Sequence, residues 1–152
     1  MTDIHIVAHQ EQPTAVVRET VPMAKLTEFF TRAFSATMRT VGEQGTRPAG
    51  PPFGKYYGMP GAVVDVEAGF PVATPIAPAG TVRPGTLPGG RVAEAIHIGP
   101  YDTLPTTYAE LERYFDAHGL TPASTMWECY LSGPESGADP TTWRTQICWP
   151  IE

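Results

Sequence analysis

The chain has 152 residues, 41% of them apolar and 17% charged, with a net charge of −6 at neutral pH. That length suits one domain burying roughly two-thirds of its unfolded surface, and the apolar content excludes a disordered chain. The acidic balance, without any Lys/Arg cluster, excludes the electrostatic footprint that direct nucleic-acid binding requires.

The chain starts MTDIHIVAHQ, with an acid and a His where a signal peptide would place Lys or Arg ahead of an apolar block. No apolar run is long enough to cross a membrane, so a cytoplasmic protein is expected. The first clear element is TAVVRETV at 14–21, whose alternation predicts a strand. In VPMAKLTEFFTRAFSATMRTVG, Leu26, Phe29, Phe30, Ala33, Phe34, Met38 and Val41 fall on one helical face. Pro22 suits its first turn and Gly42 its end. Two further strands are predicted, GKYYG at 54–58 and AVVDVEAGF at 62–70. The chain's 17 Pro and 15 Gly gather between residues 42 and 90, which predicts a loop-rich stretch.

The same order then returns. RVAEAIHI at 91–98 alternates as a strand, and TLPTTYAELERYFDAHG places Leu104, Tyr108, Leu111 and Phe115 on one helical face. Thr103 or Asp102 can cap this helix, Pro105 fits its first turn, and Gly119 ends it. TMWECYL and TWRTQICW follow as strands. The two helices stand about 77 residues apart, which reads as a duplicated strand-helix-strand-strand unit. The expectation is a single α+β domain over residues 1–152, with pseudo-repeats at about 10–75 and 88–152. Its two helices pack on antiparallel sheet, with a ligand groove at the pseudo-symmetry axis.

Within TMWECYLSG at 125–133, strand alternation turns Trp127, Cys129 and Leu131 one way and Met126, Glu128 and Tyr130 the other. The first face reads as core. The second pairs an acid with an aromatic and a thioether, which suits a partly wet sheet surface or the floor of a binding site. Cys129 and Cys148 lie on separate strands and read as buried apolar residues in a reducing compartment. His5, His9, His97 and His118 lack metal-ligand spacing, so no metal is expected. His97, beside Gly-Pro, reads as a structural hydrogen-bonder. No G-x-S-x-G elbow, G-x-G-x-x-G fingerprint or Walker lysine occurs, so neither acyl-enzyme chemistry nor a cofactor is expected.

Several segments together carry a family resemblance: HIGPYDTLPTTYAEL at 97–111, MWECYLSGP at 126–134, DPTTW at 139–143 and the closing TQICWPI. Pro13, the Val16/Val17 strand, the helix from 23 and GPPFGKYYG at 50–58 extend it more loosely into the first half. The chain resembles the GyrI-like small-molecule-binding domain, which is the effector-binding domain of AraC-type and MerR-type multidrug-responsive regulators. The resemblance implies two strand-helix-strand-strand units around a central groove, where aromatic residues and an acid hold diverse, often cationic, organic molecules. The acid falls on Glu128, whose partial burial should raise its pKa.

The ligand-binding set so implied is Glu128, Tyr130, Tyr56, Tyr57, Tyr101, Trp143 and Trp149. Alternation lets only one of Tyr56 and Tyr57 face the groove, and Tyr57 is preferred. Tyr101 can equally be a helix-start staple on Leu104 or Tyr108. Trp143 and Trp149 share one face of the last strand in this reading, with core and ligand roles both open. Fused family members carry a helix-turn-helix DNA reader. The duplicated unit leaves no segment for one here, so a standalone form is expected.

Three roles follow from the resemblance to standalone members. The first is binding of a lipophilic, drug-like or toxin-like organic molecule. The second is hydrolysis of strained electrophilic rings such as cyclopropane-bearing genotoxins, with Glu128 as base and Tyr57, or Tyr130 in another register, as oxyanion donor. The third is a protein-interaction or toxin-neutralising module. An exposed sheet edge is also compatible with a homodimer.

Overall fold

The computed structural model describes residues 3–58, 61–133 and 139–152, and Pro134 at the end of MWECYLSGP lies outside them. In chain order the elements are strands β1 (Ile4–His9) and β2 (Gln12–Pro22), helix α1 (Leu26–Glu43), and strands β3 (Phe53–Tyr57), β4 (Val63–Pro71), β5 (Arg83–Leu87) and β6 (Gly90–Ile98). Helix α2 (Leu104–His118) and strands β7 (Thr125–Ser132) and β8 (Arg144–Pro150) complete the chain. The predicted α+β duplication is present as β2-α1-β3-β4 followed by β6-α2-β7-β8. Strands β1 and β5 are additions that the sequence pattern did not announce.

The chain forms two compact units, one of Gln10–Gly89 and one joining the residues up to His9 with Gly90–Glu152. The added strands are exchanged between them. β1 precedes β2 in the chain yet pairs with β6, and β5 precedes β6 yet pairs with β2.

In the unit of Gln10–Gly89 the strand order is β3-β4-β2-β5, antiparallel throughout. Alternate residues Ala15, Val17 and Val21 of β2 and Val64, Val66 and Ala68 of β4 join one core with Phe29, Ala33 and Val41 of α1. Period 2 on the strands thus meets period 3.6 on the helix. Leu26, Phe30 and Phe34 pack at the rim of this core. Met38, expected on the same stripe, is exposed, and Thr37 takes the inward place, its hydroxyl donating to Ala33 O at 2.8 Å. Pro22 closes β2 rather than opening α1, and α1 runs one residue beyond Gly42. The sequence of β5, RPGTL, reads as a breaker; it forms a strand because it sits at the end of the order, where proline's missing N–H costs no ladder bond.

Strands β2 and β4 approach so closely that a Cβ at Gly69 would lie 1.9 Å from Ala15 O. Gly69→Ala is therefore expected to lower stability by about 1–3 kcal/mol, through forced displacement of backbone in a packed core. Urea unfolding measures this, and a variant as stable as the parent would mean that the two strands separate freely.

In the second unit the order is β1-β6-β8-β7, again antiparallel. Ala93, Ala95 and His97 stand opposite Trp149, Ile147 and Thr145 in the ladder, and α2 packs on this face through Phe115, whose ring lies 5.4 Å from that of Trp149. The opposite face carries Trp127, Cys129 and Cys148, all buried, with both thiols free. Helix α2 has proline in its first turn and stops at Gly119, as predicted. Its expected side-chain cap is not formed: the Thr103 hydroxyl donates to Pro100 O at 2.8 Å instead. Among the described residues no helix is long and apolar enough to cross a membrane.

Candidate functional site

Strand β7 is buried on both faces, which differs from the half-wet strand expected. Trp127 is 1% exposed on one face, and Met126 and Glu128 are 9% and 6% exposed on the other, beneath α2. Leu131 is exposed at the strand's end. The carboxylate between Trp and Tyr is thus an interior group, and its partners decide what it can do.

Both of those partners are phenols. Tyr130 Oη donates to Glu128 Oε1 at 3.0 Å, and Tyr108 Oη donates to Glu128 Oε2. Tyr108 projects from α2, where its sequence spacing marked it only as part of the apolar stripe. Its hydroxyl reaches past Met126, whose sulfur it also approaches at 3.7 Å. Among the described residues no Lys or Arg forms an ion pair with Glu128. Burial raises the Glu128 pKa above the ordinary carboxylate value; the two phenol hydrogen bonds and the field of His97 oppose that shift without cancelling it.

Each phenol leads into a chain of rings. From Tyr130 the contacts run to Tyr101 at 6.0 Å between centroids, and from Tyr101 to Trp143 at 5.3 Å. From Tyr108 they run to Trp149 at 6.1 Å and on to Phe115. Trp149 is fixed by its indole N–H, which donates to Ala123 O at 2.8 Å. Trp143 lies outside β8, contrary to the expectation that it shares a strand face with Trp149. It follows a single 3-10 turn over Pro140–Thr142, capped by Asp139, whose carboxylate accepts from Thr141 N at 2.9 Å. The carbonyl of Trp143 accepts from Gly99 N at 2.8 Å, which ties the DPTTW and HIGPYD segments together.

His97 is buried and holds the start of α2 in place. Its Nδ1 lies 2.7 Å from Thr107 Oγ1, and its Nε2 lies 2.9 Å from Thr103 Oγ1 and 3.1 Å from Pro100 O. Gly99 turns tightly at φ 135°, where a side chain would be strained and would press on Thr103 and His97.

The tyrosine pair of β3 divides between the two sheet faces, as strand alternation requires. Tyr56 packs against the core under α1. Tyr57 is turned away from α1 and donates to Glu67 Oε2 at 3.1 Å. Burial first, then the charge of Glu67 and this hydrogen bond, push its pKa up to about 12. Glu128, by contrast, lies on the helix-facing side of its own sheet, where its hydroxyl partners are Tyr130, one of the two expected donors, and Tyr108, which the sequence did not mark.

Open concavities exist among the described residues. One of about 430 Å³ is lined by Arg18, Glu19, Asp65 and Arg83, and one of about 750 Å³ by His97, Thr103, Thr107, Glu94 and their neighbours. Neither is lined by Glu128. The carboxylate is buried and accepts from both phenols. Among the described residues no group of three or more His, Cys, Asp or Glu is placed to hold a metal ion.

The family model of the GyrI-like small molecule binding domain matches residues 2–152. No curated protein matches the chain. The C-terminal domain of EcmrR superposes with a TM-score of 0.86 at 21% identity, covering 100% of this chain and 98% of that one. Within the EcmrR–DNA complex the TM-score is 0.87 at 20% identity, covering 99% of this chain and 57% of that one, so the chain spans little more than half of that longer protein. SAV2435 bound to tetraphenylphosphonium matches at a TM-score of 0.68 and 13% identity, covering 99% and 94%. A hydrolase from Listeria innocua matches at 0.65 and 16%, covering 99% and 92%. At these identities the shared property is the fold.

Proposed function

Because the chain belongs to the GyrI-like small-molecule-binding domain family, we propose that Glu128 and the rings around it bind lipophilic organic cations. One observation carries this reading: a carboxylate that is 6% exposed has two phenols as partners and, among the described residues, no Lys or Arg paired with it. An uncompensated charge in the interior is costly, and a desolvated cation lying against it would offset that cost. The flanking rings add the attraction of their faces for positive charge, worth about 0.5–2 kcal/mol. Tyr101 and Trp143 extend the apolar lining on one side and Trp149 on the other.

Titrating the protein with tetraphenylphosphonium, the ligand present in the SAV2435 structure, tests the reading. Saturable binding is expected, weakened in Glu128→Gln by about 3- to 30-fold, as roughly 0.5–2 kcal/mol implies. Equal affinity of the two proteins would remove the electrostatic role of Glu128.

A second reading rests on the raised pKa of the same carboxylate. Glu128, as a general base, would activate water to open a strained electrophilic ring, with Tyr108 or Tyr130 donating to the developing oxyanion. A buried carboxylate is a stronger base than one in water and contributes about 10²- to 10⁴-fold when positioned. Turnover of a cyclopropane-bearing alkylator, followed as ring-opened product by mass spectrometry, distinguishes this from stoichiometric capture.

A further inference from the structure

One polar side chain on the α2-facing side of the second unit takes no part in the network around Glu128. Thr145 on β8 is 0% exposed, and its hydroxyl has no hydrogen-bond partner among the described residues. In the ladders Thr145 stands opposite His97 on one side and Tyr130 on the other, while Ile147 of the same strand stands opposite Glu128. Opposite residues share a sheet face, so His97, Thr145, Tyr130 and Glu128 all lie on the side that α2 covers. The polar groups beside Thr145 are engaged elsewhere. Both ring nitrogens of His97 are taken by Thr107, Thr103 and the Pro100 carbonyl, and the Tyr130 hydroxyl donates to Glu128. A valine here would have the same shape, suit a strand, and leave no buried hydroxyl to satisfy.

We propose that the Thr145 hydroxyl is a second acceptor of the Glu128 site, and that it selects lipophilic primary and secondary ammonium ions over quaternary cations. This assignment rests on Glu128 being the anchor of a bound cation and adds what the cation must offer. A carboxylate attracts any positive charge, whether or not that charge has hydrogens to give. A neutral hydroxyl oxygen attracts through a directed hydrogen bond, and so distinguishes an N–H from an N–CH₃.

Glu128 and Thr145 are diagonal neighbours across the β7–β8 ladder, close enough for one ammonium group to lie between them. An ammonium with two or more N–H bonds can direct one to the carboxylate and another to Thr145 Oγ1. A trimethylammonium has none to direct, and it leaves the hydroxyl buried and unbonded. The phenols of Tyr108 and Tyr130 keep their hydrogen bonds to Glu128 in either case.

4-Phenylbutylamine and its N,N,N-trimethyl derivative share a carbon body and a charge and differ in their N–H groups. Titrating both against wild type, Thr145→Val, Thr145→Ser and Glu128→Gln separates the two contributions. Thr145→Val is expected to weaken the primary amine by about 3- to 10-fold, as one hydrogen bond implies, and to leave the trimethyl derivative within about twofold of wild type. Thr145→Ser keeps the hydroxyl and should stay near wild type for both, whereas Glu128→Gln should weaken both. Without ligand, Thr145→Val should unfold at a urea concentration equal to or above that of wild type, since an unbonded interior hydroxyl adds nothing to the fold. An equal loss for the two ligands, no loss for either, or a valine variant that unfolds at lower urea would overturn the role of Thr145 and leave Glu128 in place. If neither ligand bound the wild type, or both bound Glu128→Gln as well as wild type, the anchor itself would be wrong and Thr145 would lose its role with it.

Discussion

Trp127→Ala is expected to cost about 3–5 kcal/mol of folding stability, the range for removing a fully buried aromatic side chain. Trp127 is 1% exposed and ranks first by volume among the fully buried side chains. It stands opposite Cys148 in the β7–β8 ladder, and its ring meets that of His9 from β1 at 6.0 Å. Few neighbours can collapse into the space it leaves, because the β7–β8 ladder fixes the strand. Urea unfolding gives the number. A loss under about 1 kcal/mol would show that this face repacks easily, which interiors of native density rarely do. The same variant should weaken tetraphenylphosphonium binding, since Trp127 backs the strand that aims Glu128.

Glu128→Gln should move stability and binding in opposite directions. The folded-state pKa of Glu128 is raised, so the folded protein holds this proton more tightly than the unfolded chain. At pH below the ordinary carboxylate value the group is protonated in both states and costs nothing. As pH rises from there through the raised folded value, the wild type loses stability; above it the loss is constant. Gln carries no charge and escapes this loss, while the Tyr108 and Tyr130 hydroxyls can rotate to meet its amide. At neutral pH the variant is therefore expected to be more stable by about 1–3 kcal/mol, the cost of holding an imperfectly compensated polar group in the interior. Unfolding curves of both proteins across pH decide it. A variant less stable than wild type at neutral pH, with curves that stay parallel in acid, would mean that the phenols fully compensate the charge. Retaining a destabilising acid in the interior is a common trade of stability for function.

The elements that could be read in the sequence are those in which one chemical period runs long enough to identify itself. The apolar stripe of α1, the alternation of β2 and β4, and the Pro105-to-Gly119 frame of α2 are of that kind. β5 was hidden because Pro84 and Gly85 contradict strand propensity, and only its place at the end of the sheet order tolerates them. β1 was hidden because six residues of alternation mean little until a partner strand is known. Glu128 stood out by its chemistry between two aromatics. Tyr108 did not, because a tyrosine on an apolar stripe looks like packing, and its role depends on how far its hydroxyl extends beneath the helix. The parity of Tyr56 and Tyr57 could not be read from β3 alone. It depends on which of them falls in register with the inward residues of β4, and Tyr56 stands opposite Val66 of the core.

The exchange of β1 and β5 shapes how the molecule is made. β1 emerges from the ribosome before β2, yet its hydrogen-bonding partner begins at Gly90, so Ile4 must wait for Ala95. Until then its backbone groups are an unpaired edge, the kind of surface through which chains pair with the wrong partner. Residues 12–87 can meanwhile close β2, α1, β3, β4 and β5 from their own sequence. Order of synthesis should therefore become order of assembly: residues 12–87 settle early, and β1 joins the segment from β6 onward last. The late part is the one that carries Glu128. Any nascent or truncated product ending before β6 would present a finished-looking half with β1 unpaired and none of the acid-and-phenol site.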